Sequence, residues 1–234
     1  MRLLHASALA VVAAALLVPA VPGAQQQQDA NRKVAGGGIM VPGWQGMIDP
    51  RDKTNGESIN NSKFAADGNA FHLTVGPASV YWNPKNVATG SYTVKANFYE
   101  PKQLNDHAHP YGVFIAGKNL DSPTQEYLYC AAYGTGTYIV RGFNGATVVQ
   151  YSGRRGVAHD AISKFGADGS VRQEVAIRVT PDQVSCLVNG TAVASYPKSE
   201  IVAAGKLSST DGIFGIRSAH NTDVVVTNFG MTKN

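Results

Sequence analysis

The chain has 234 residues and a formal net charge of +4, with Lys and Arg scattered except at Arg154-Arg155. That length is enough for one domain with a sizeable core, while so small and dispersed a charge lacks the basic cluster of a nucleic-acid binder. No segment after residue 24 is apolar enough to span a bilayer.

Residues 1–24 stand outside the expected fold. Arg2 supplies a positive start, residues 6–18 run almost without a polar side chain, and Pro19-Ala20-Val21-Pro22-Gly23-Ala24 puts small residues at the exit. Those are the three parts of a secretory signal peptide, and the apolar run is shorter than the about 20 residues a membrane span needs. No cysteine lies near the exit to carry a lipid. The expected product is therefore a secreted protein, periplasmic or extracellular, with no membrane insertion. Its net charge falls to +3 with the loss of Arg2. Residues 25–40 are polar, glycine-rich and without periodicity, which reads as a flexible leader. Residues 41–234 read as one β domain, with no internal repeat and no second linker.

In chain order the strand-like runs fall at 71–75, 79–83, 91–100, 111–116, 127–133, 137–143, 147–151, 171–179, 184–188, 191–196, 213–218 and 224–229. Many short strands with Gly, Pro, Asn and Asp between them mean a sandwich or barrel. One helical turn is expected at 160–164, and no stretch shows a long 3.6-residue apolar period.

Alternation assigns faces. Val175, Ile177 and Val179 point one way, opposite Val184, Cys186 and Val188 across the turn Thr180-Pro181-Asp182-Gln183. Asn189-Gly190 signals a type I′ hairpin, whose two central residues need φ > 0; closing there puts Val193 opposite Cys186. Upstream, Gly134-Thr135-Gly136 joins two strands. If Tyr133 pairs with Thr137, then Leu128, Cys130, Ala132, Tyr138 and Val140 share an apolar face. Tyr127, Tyr129, Tyr133, Arg141 and Phe143 share the other. A slip of one residue would exchange the faces of one strand. Cys130 and Cys186 both fall on core faces, and an oxidising compartment permits a disulfide between them, provided their Cα atoms come within about 7 Å. Two buried thiols are the plainer alternative.

The run Ser185-Cys186-Leu187-Val188-Asn189-Gly190-Thr191-Ala192-Val193, then Gly212-Ile213-Phe214-Gly215-Ile216-Arg217 and Val224-Val225-Val226-Thr227-Asn228-Phe229, resembles the last third of laminin G-like domains. These belong to the concanavalin A-like lectin/glucanase superfamily, as does the bacterial 3-keto-glycoside hydrolase-like domain. Gly43-Trp44 with Asp49, and Val80-Tyr81-Trp82, fit its opening strands. The resemblance spans roughly residues 41–230 and implies an all-β fold, a two-sheet antiparallel jelly-roll sandwich. It says little of activity, because that sandwich hosts lectins, hydrolases and inert modules.

Glycoside hydrolysis needs two carboxyl groups about 5 to 9.5 Å apart. The Glu-x-Asp-x-Glu strand motif of laminarinase-type relatives is absent, and Glu57, Glu100, Glu126, Glu174 and Glu200 each stand alone. Resemblance to the keto-glycoside group loosely marks Glu126 as the catalytic candidate. Asp106-His107-Ala108-His109 offers metal-ligand residue types, but a catalytic zinc site takes three protein ligands. His72, His159 and His220 lie far along the chain, so a polar surface loop is the plainer reading of His107 and His109. No cofactor is implied: calcium has only the compositional candidates Asp67-Gly68-Asn69, Asp121-Ser122 and Asp168-Gly169, which read as turns. What remains is the aromatic face. Rings stack on the C–H faces of a pyranose while arginine bonds its hydroxyls, so Tyr127, Tyr129, Tyr133, Arg141 and Phe143 form the candidate site for a carbohydrate or cell-surface glycan. A covering loop or sheet is the alternative explanation of those rings. The expected function is a secreted non-catalytic carbohydrate-binding or cell-surface module. A glycosidase acting on glucosides or 3-keto-glycosides, and a structural envelope domain, are the other readings.

Overall fold

The computed structural model describes residues 29–234, so the expected signal peptide and the first part of the leader lie outside the described residues. Asn31–Asn234 form one compact unit. Its strands are β1 (Gly38–Ile39), β2 (Gln45–Ile48), β3 (Lys63–Asp67), β4 (Ala70–Thr74), β5 (Ser79–Ala88), β6 (Tyr92–Glu100), β7 (Tyr111–Lys118) and β8 (Glu126–Tyr133). They continue with β9 (Thr137–Asn144), β10 (Thr147–Gln150), β11 (Val157–Ala158), β12 (Val171–Val179), β13 (Gln183–Val188), β14 (Thr191–Pro197), β15 (Gly212–Ser218) and β16 (Asp223–Lys233).

Two sheets result. One runs β1-β3-β4-β16-β6-β12-β13-β14; the other runs β10-β9-β8-β7-β15-β5-β2, with β11 also on β9. For brevity they are the β12 sheet and the β8 sheet. Pairing is antiparallel except between β1 and β3. Among the described residues no helix is long and apolar enough to cross a membrane.

The sheets meet through the faces that alternation selects. Val94, Ala96, Val175, Ile177 and Cys186 from one sheet and Val113, Ile115, Leu128, Cys130 and Val140 from the other share one buried core. Val175 stands opposite Val188, Ile177 opposite Cys186 and Val179 opposite Val184. Cys130 and Cys186 are joined in a disulfide between the sheets, with Cα atoms 5.7 Å apart. Asn189 and Gly190 take φ of 50° and 80°, the pair of positive angles a type I′ turn demands.

Several local expectations need correction. Val193 is not opposite Cys186: a bulge pairs Leu187 with Ala192 and Cys186 with Ala194, leaving Val193 as the extra residue. Nothing in a periodic pattern marks a bulge, which inserts one residue into one strand only. Residues 160–164 close as a single turn, held by Ile162 N–H to the His159 carbonyl, not as helix. The short helices lie instead at Pro50–Thr54 and Lys198–Ile201. The stretch expected as leader is tied down before residue 40. The Arg32 guanidinium donates to the carbonyls of Val75 (3.0 Å) and Thr222 (2.6 Å), and Gly38–Ile39 is itself a strand.

Candidate functional site

The pairing of β8 with β9 is the one that alternation predicts. Tyr127 faces Phe143, Tyr129 faces Arg141, and Tyr133 faces Thr137. Because side chains alternate along each strand, these residues leave the sandwich interior and lie on the outer face of the β8 sheet. Neighbouring strands add Met47, Val80, Trp82 and Phe114 to that face. Tyr127 stacks on Phe143 with centroids 5.0 Å apart and meets the edge of Phe114 at 5.6 Å.

An ion pair sits among the rings. Arg217 on β15 holds Asp49 through both guanidinium nitrogens, at 2.5 and 2.8 Å, and its charge lies 4.9 Å from the Tyr129 ring centre. Burial by itself would lower the pKa of Arg217; the charge and hydrogen bonds of Asp49, together with Tyr127 and Tyr129, more than reverse this, so the guanidinium stays charged. A bidentate arginine–carboxylate pair is strong and directional. The sequence pattern singles out neither residue as part of this face; only the adjacency of β2 to β5 and of β5 to β15 brings them together.

The face is not the open groove that an exposed aromatic patch would be. Tyr127, Tyr129 and Phe143 are 0%, 3% and 4% exposed, while Tyr133 and Arg141 are half-buried. Arg141 is also anchored, its guanidinium donating to the Arg154 carbonyl. Burial raises the pKa of Tyr127 and of Tyr129, keeping both phenols neutral. The Tyr127 hydroxyl is buried without a hydrogen-bond partner among the described residues. Such an orphan costs about 1–3 kcal/mol and calls for an explanation.

The other sequence candidates go elsewhere. Glu126, at the start of β8, accepts from Ser208 N (2.9 Å) and Ser208 Oγ (2.7 Å) beside a groove of about 350 Å³. The rest of that lining, Asn144 and the segment from Val202 to Ser208, contains no second carboxyl group. Asp121 is paired with the distant Lys53, and Asp168 accepts from Ser170 N and Oγ at 3.0 and 2.9 Å within its own turn. His107 and His109 do lie side by side, 4.7 Å between ring centres.

Two grooves carry no residue of the predicted site. One, about 410 Å³, opens on the outer face of the β12 sheet, where Arg172 covers the Tyr99 ring at 3.5 Å and Glu174 binds Lys95 at 2.8 Å. The other, about 440 Å³, is lined by Trp44, Phe71, Phe214 and Phe229 with Lys85. Glu174 is the one acid lining either of them. A buried acid that the sequence pattern leaves unmarked is Glu100, 2% exposed at the end of β6. Burial pushes its pKa up to about 7; a hydrogen bond with Tyr111 holds it down and the charge of Asp223 adds to the rise.

Two facing antiparallel sheets with these strand connections make an all-β sandwich. Among solved structures the chain is similar to the carbohydrate-binding module CBM66 from Bacillus subtilis. The identity is 8% and the TM-score 0.54, over 84% of this chain and 99% of that one. It is also similar to a Bacillus subtilis protein of unknown function with a galectin-like fold, at 12% identity and a TM-score of 0.52, over 81% and 89% of the two chains. At such identity the likeness is one of fold. No protein-family model matches the chain, and a comparison with curated proteins finds no match.

Proposed function

We propose that this is an exported, non-catalytic carbohydrate-binding module whose ligand face is the outer surface of the β8 sheet. The observation that carries this is the Arg217–Asp49 pair set against Tyr129, within a field of rings that includes Tyr127, Phe143 and Trp82. A sugar presents apolar C–H faces and polar hydroxyl edges together. Rings beside a charged, bidentate donor–acceptor pair match both. The unpartnered Tyr127 hydroxyl supports the reading, since a ligand hydroxyl would satisfy it. A glycan reaches these rings only in a state in which they are uncovered. Hydrolysis has less support: none of the three grooves has more than one carboxyl group in its lining, and two are needed.

Burial decides which variant tests this. Alanine at Tyr129 or Phe143 would open a cavity and cost stability whatever the face does. Tyr127→Phe removes only the orphan hydroxyl. Glycan-array screening of the mature protein, followed by calorimetry on the best glycan, should show a loss of affinity of about tenfold in Tyr127→Phe, with thermal stability unchanged or raised. Unchanged affinity in Tyr127→Phe, or the absence of any glycan ligand, refutes the assignment.

A further inference from the structure

The third ligand that the His107-Ala108-His109 motif lacks in the sequence is supplied by strand register. β7 and β15 are antiparallel neighbours, and their pairing ends with Ser218 opposite Tyr111. The register continues past the strands: Ala219 N donates to the Pro110 carbonyl at 2.9 Å. One residue further, His220 meets His109, with ring centres 4.1 Å apart and planes at 69°. His107 lies 4.7 Å from His109, ring centre to ring centre. Three imidazoles separated by as much as 113 residues are thus gathered by a ladder of backbone hydrogen bonds.

We propose that His107, His109 and His220 bind a divalent transition-metal ion of the zinc class. Zinc–imidazole bonds of about 2.0–2.1 Å in a tetrahedral site put ring centres about 5 Å apart. The observed 4.7 Å between His107 and His109 and 4.1 Å between His109 and His220 are slightly closer, so each of these two pairs fits one ion after a small spread. The half of the site that must move is the half that can. Residues 101–110 between β6 and β7 contain no helix or strand, and His107 is exposed. The other half is braced: Ser218 Oγ and Thr222 Oγ1 are 2.6 Å apart, and Thr222 Oγ1 donates to the Ala219 carbonyl at 3.0 Å.

His220 also has the outer partner that histidine ligands typically have. Its Nδ1 lies 3.0 Å from Asn31 Oδ1. A carbonyl oxygen accepts, so this contact fits a proton on Nδ1, the tautomer in which Nε2 would be the ligating atom. On His109 the Nε2 atom lies 3.4 Å from Asn105 Nδ2, longer than an ordinary hydrogen bond. Neutral imidazoles select zinc, copper or nickel over calcium and magnesium, which prefer oxygen ligands.

The test uses the protein without a histidine tag, stripped with a chelator and titrated calorimetrically with zinc chloride and, in parallel, calcium chloride. One zinc per chain is expected, with no saturable calcium binding. His107→Ala and His220→Ala should each weaken zinc binding at least tenfold, whereas His159→Ala should not change it. His107 is exposed, so that variant tests the site even if His220→Ala perturbs its turn; circular dichroism monitors the fold of both. Zinc affinity unchanged in a folded His107→Ala or His220→Ala overturns the proposal. So does an equal loss in His159→Ala, which would put the metal elsewhere.

Discussion

Replacing Glu100 by glutamine tests what burial does inside this sandwich. The carboxyl is 2% exposed, and its pKa is pushed from 4.5 up to about 7, chiefly by burial. Near it, Gln173 Nε2 lies 3.2 Å from the Tyr111 hydroxyl, while Glu100 Oε2 and Gln173 Oε1 have no hydrogen-bond partner among the described residues. Because the folded-state pKa is raised, the folded protein holds a proton that the unfolded chain releases above about pH 4.5. The associated stability is complete below that pH and is lost as pH rises through about 7. A shift of that size corresponds to about 3 kcal/mol. Glutamine keeps the shape and cannot ionise, so Glu100→Gln should equal the wild type near pH 4.5 and exceed it by about 3 kcal/mol at pH 8. For a domain of this length the gain is on the order of 10 °C in Tm. Urea unfolding followed by circular dichroism between pH 4.5 and 8.5 measures it. Parallel pH profiles for the two proteins would show that the carboxyl already titrates normally in the folded state, and would refute the reasoning.

Two further outcomes are expected. The Cys130–Cys186 disulfide closes a loop with a sequence separation of 56, for which the chain-entropy relation gives about 4 kcal/mol. A Cys130→Ala, Cys186→Ala double variant should lose that much in a urea titration; a loss below about 1 kcal/mol would contradict the constraint. The signal-peptide reading places the mature N-terminus between Ala20 and Gln26, and mass spectrometry of protein exported by its native host checks this. An intact Met1 on exported protein would overturn it.

Strand positions were legible where a run was long and its alternation clean. The range 171–179 coincides with β12, and the 189–190 turn forms as its residue types require. Strands β1, β3 and β11 were not foreseen, and β2 was marked only by the resemblance that Gly43-Trp44 and Asp49 carry. Gln45–Ile48 and Lys63–Asp67 are short runs that mix Gly, Ala and charge, and they become strands because β5 and β4 offer them hydrogen-bond edges. The faces of β8 and β9 were read correctly, because a period of two is a local property. Whether the rings on one of those faces were buried was not legible, because burial depends on packing against Met47, Val80, Trp82 and Phe114 from other strands.

The amino-acid order by itself determined the alternating faces, the positive-φ turn at Asn189-Gly190 and the core positions of Cys130 and Cys186. Each depends on the stereochemistry of neighbouring residues. Tertiary structure alone decided that the two cysteines stand 5.7 Å apart, that Arg217 finds Asp49, and that Glu100 is enclosed. It alone brings His220 to His109. These are outcomes of which strands become neighbours and where a bulge shifts their register. Strand order is set by the summed burial of both sheets, a quantity that no local segment carries.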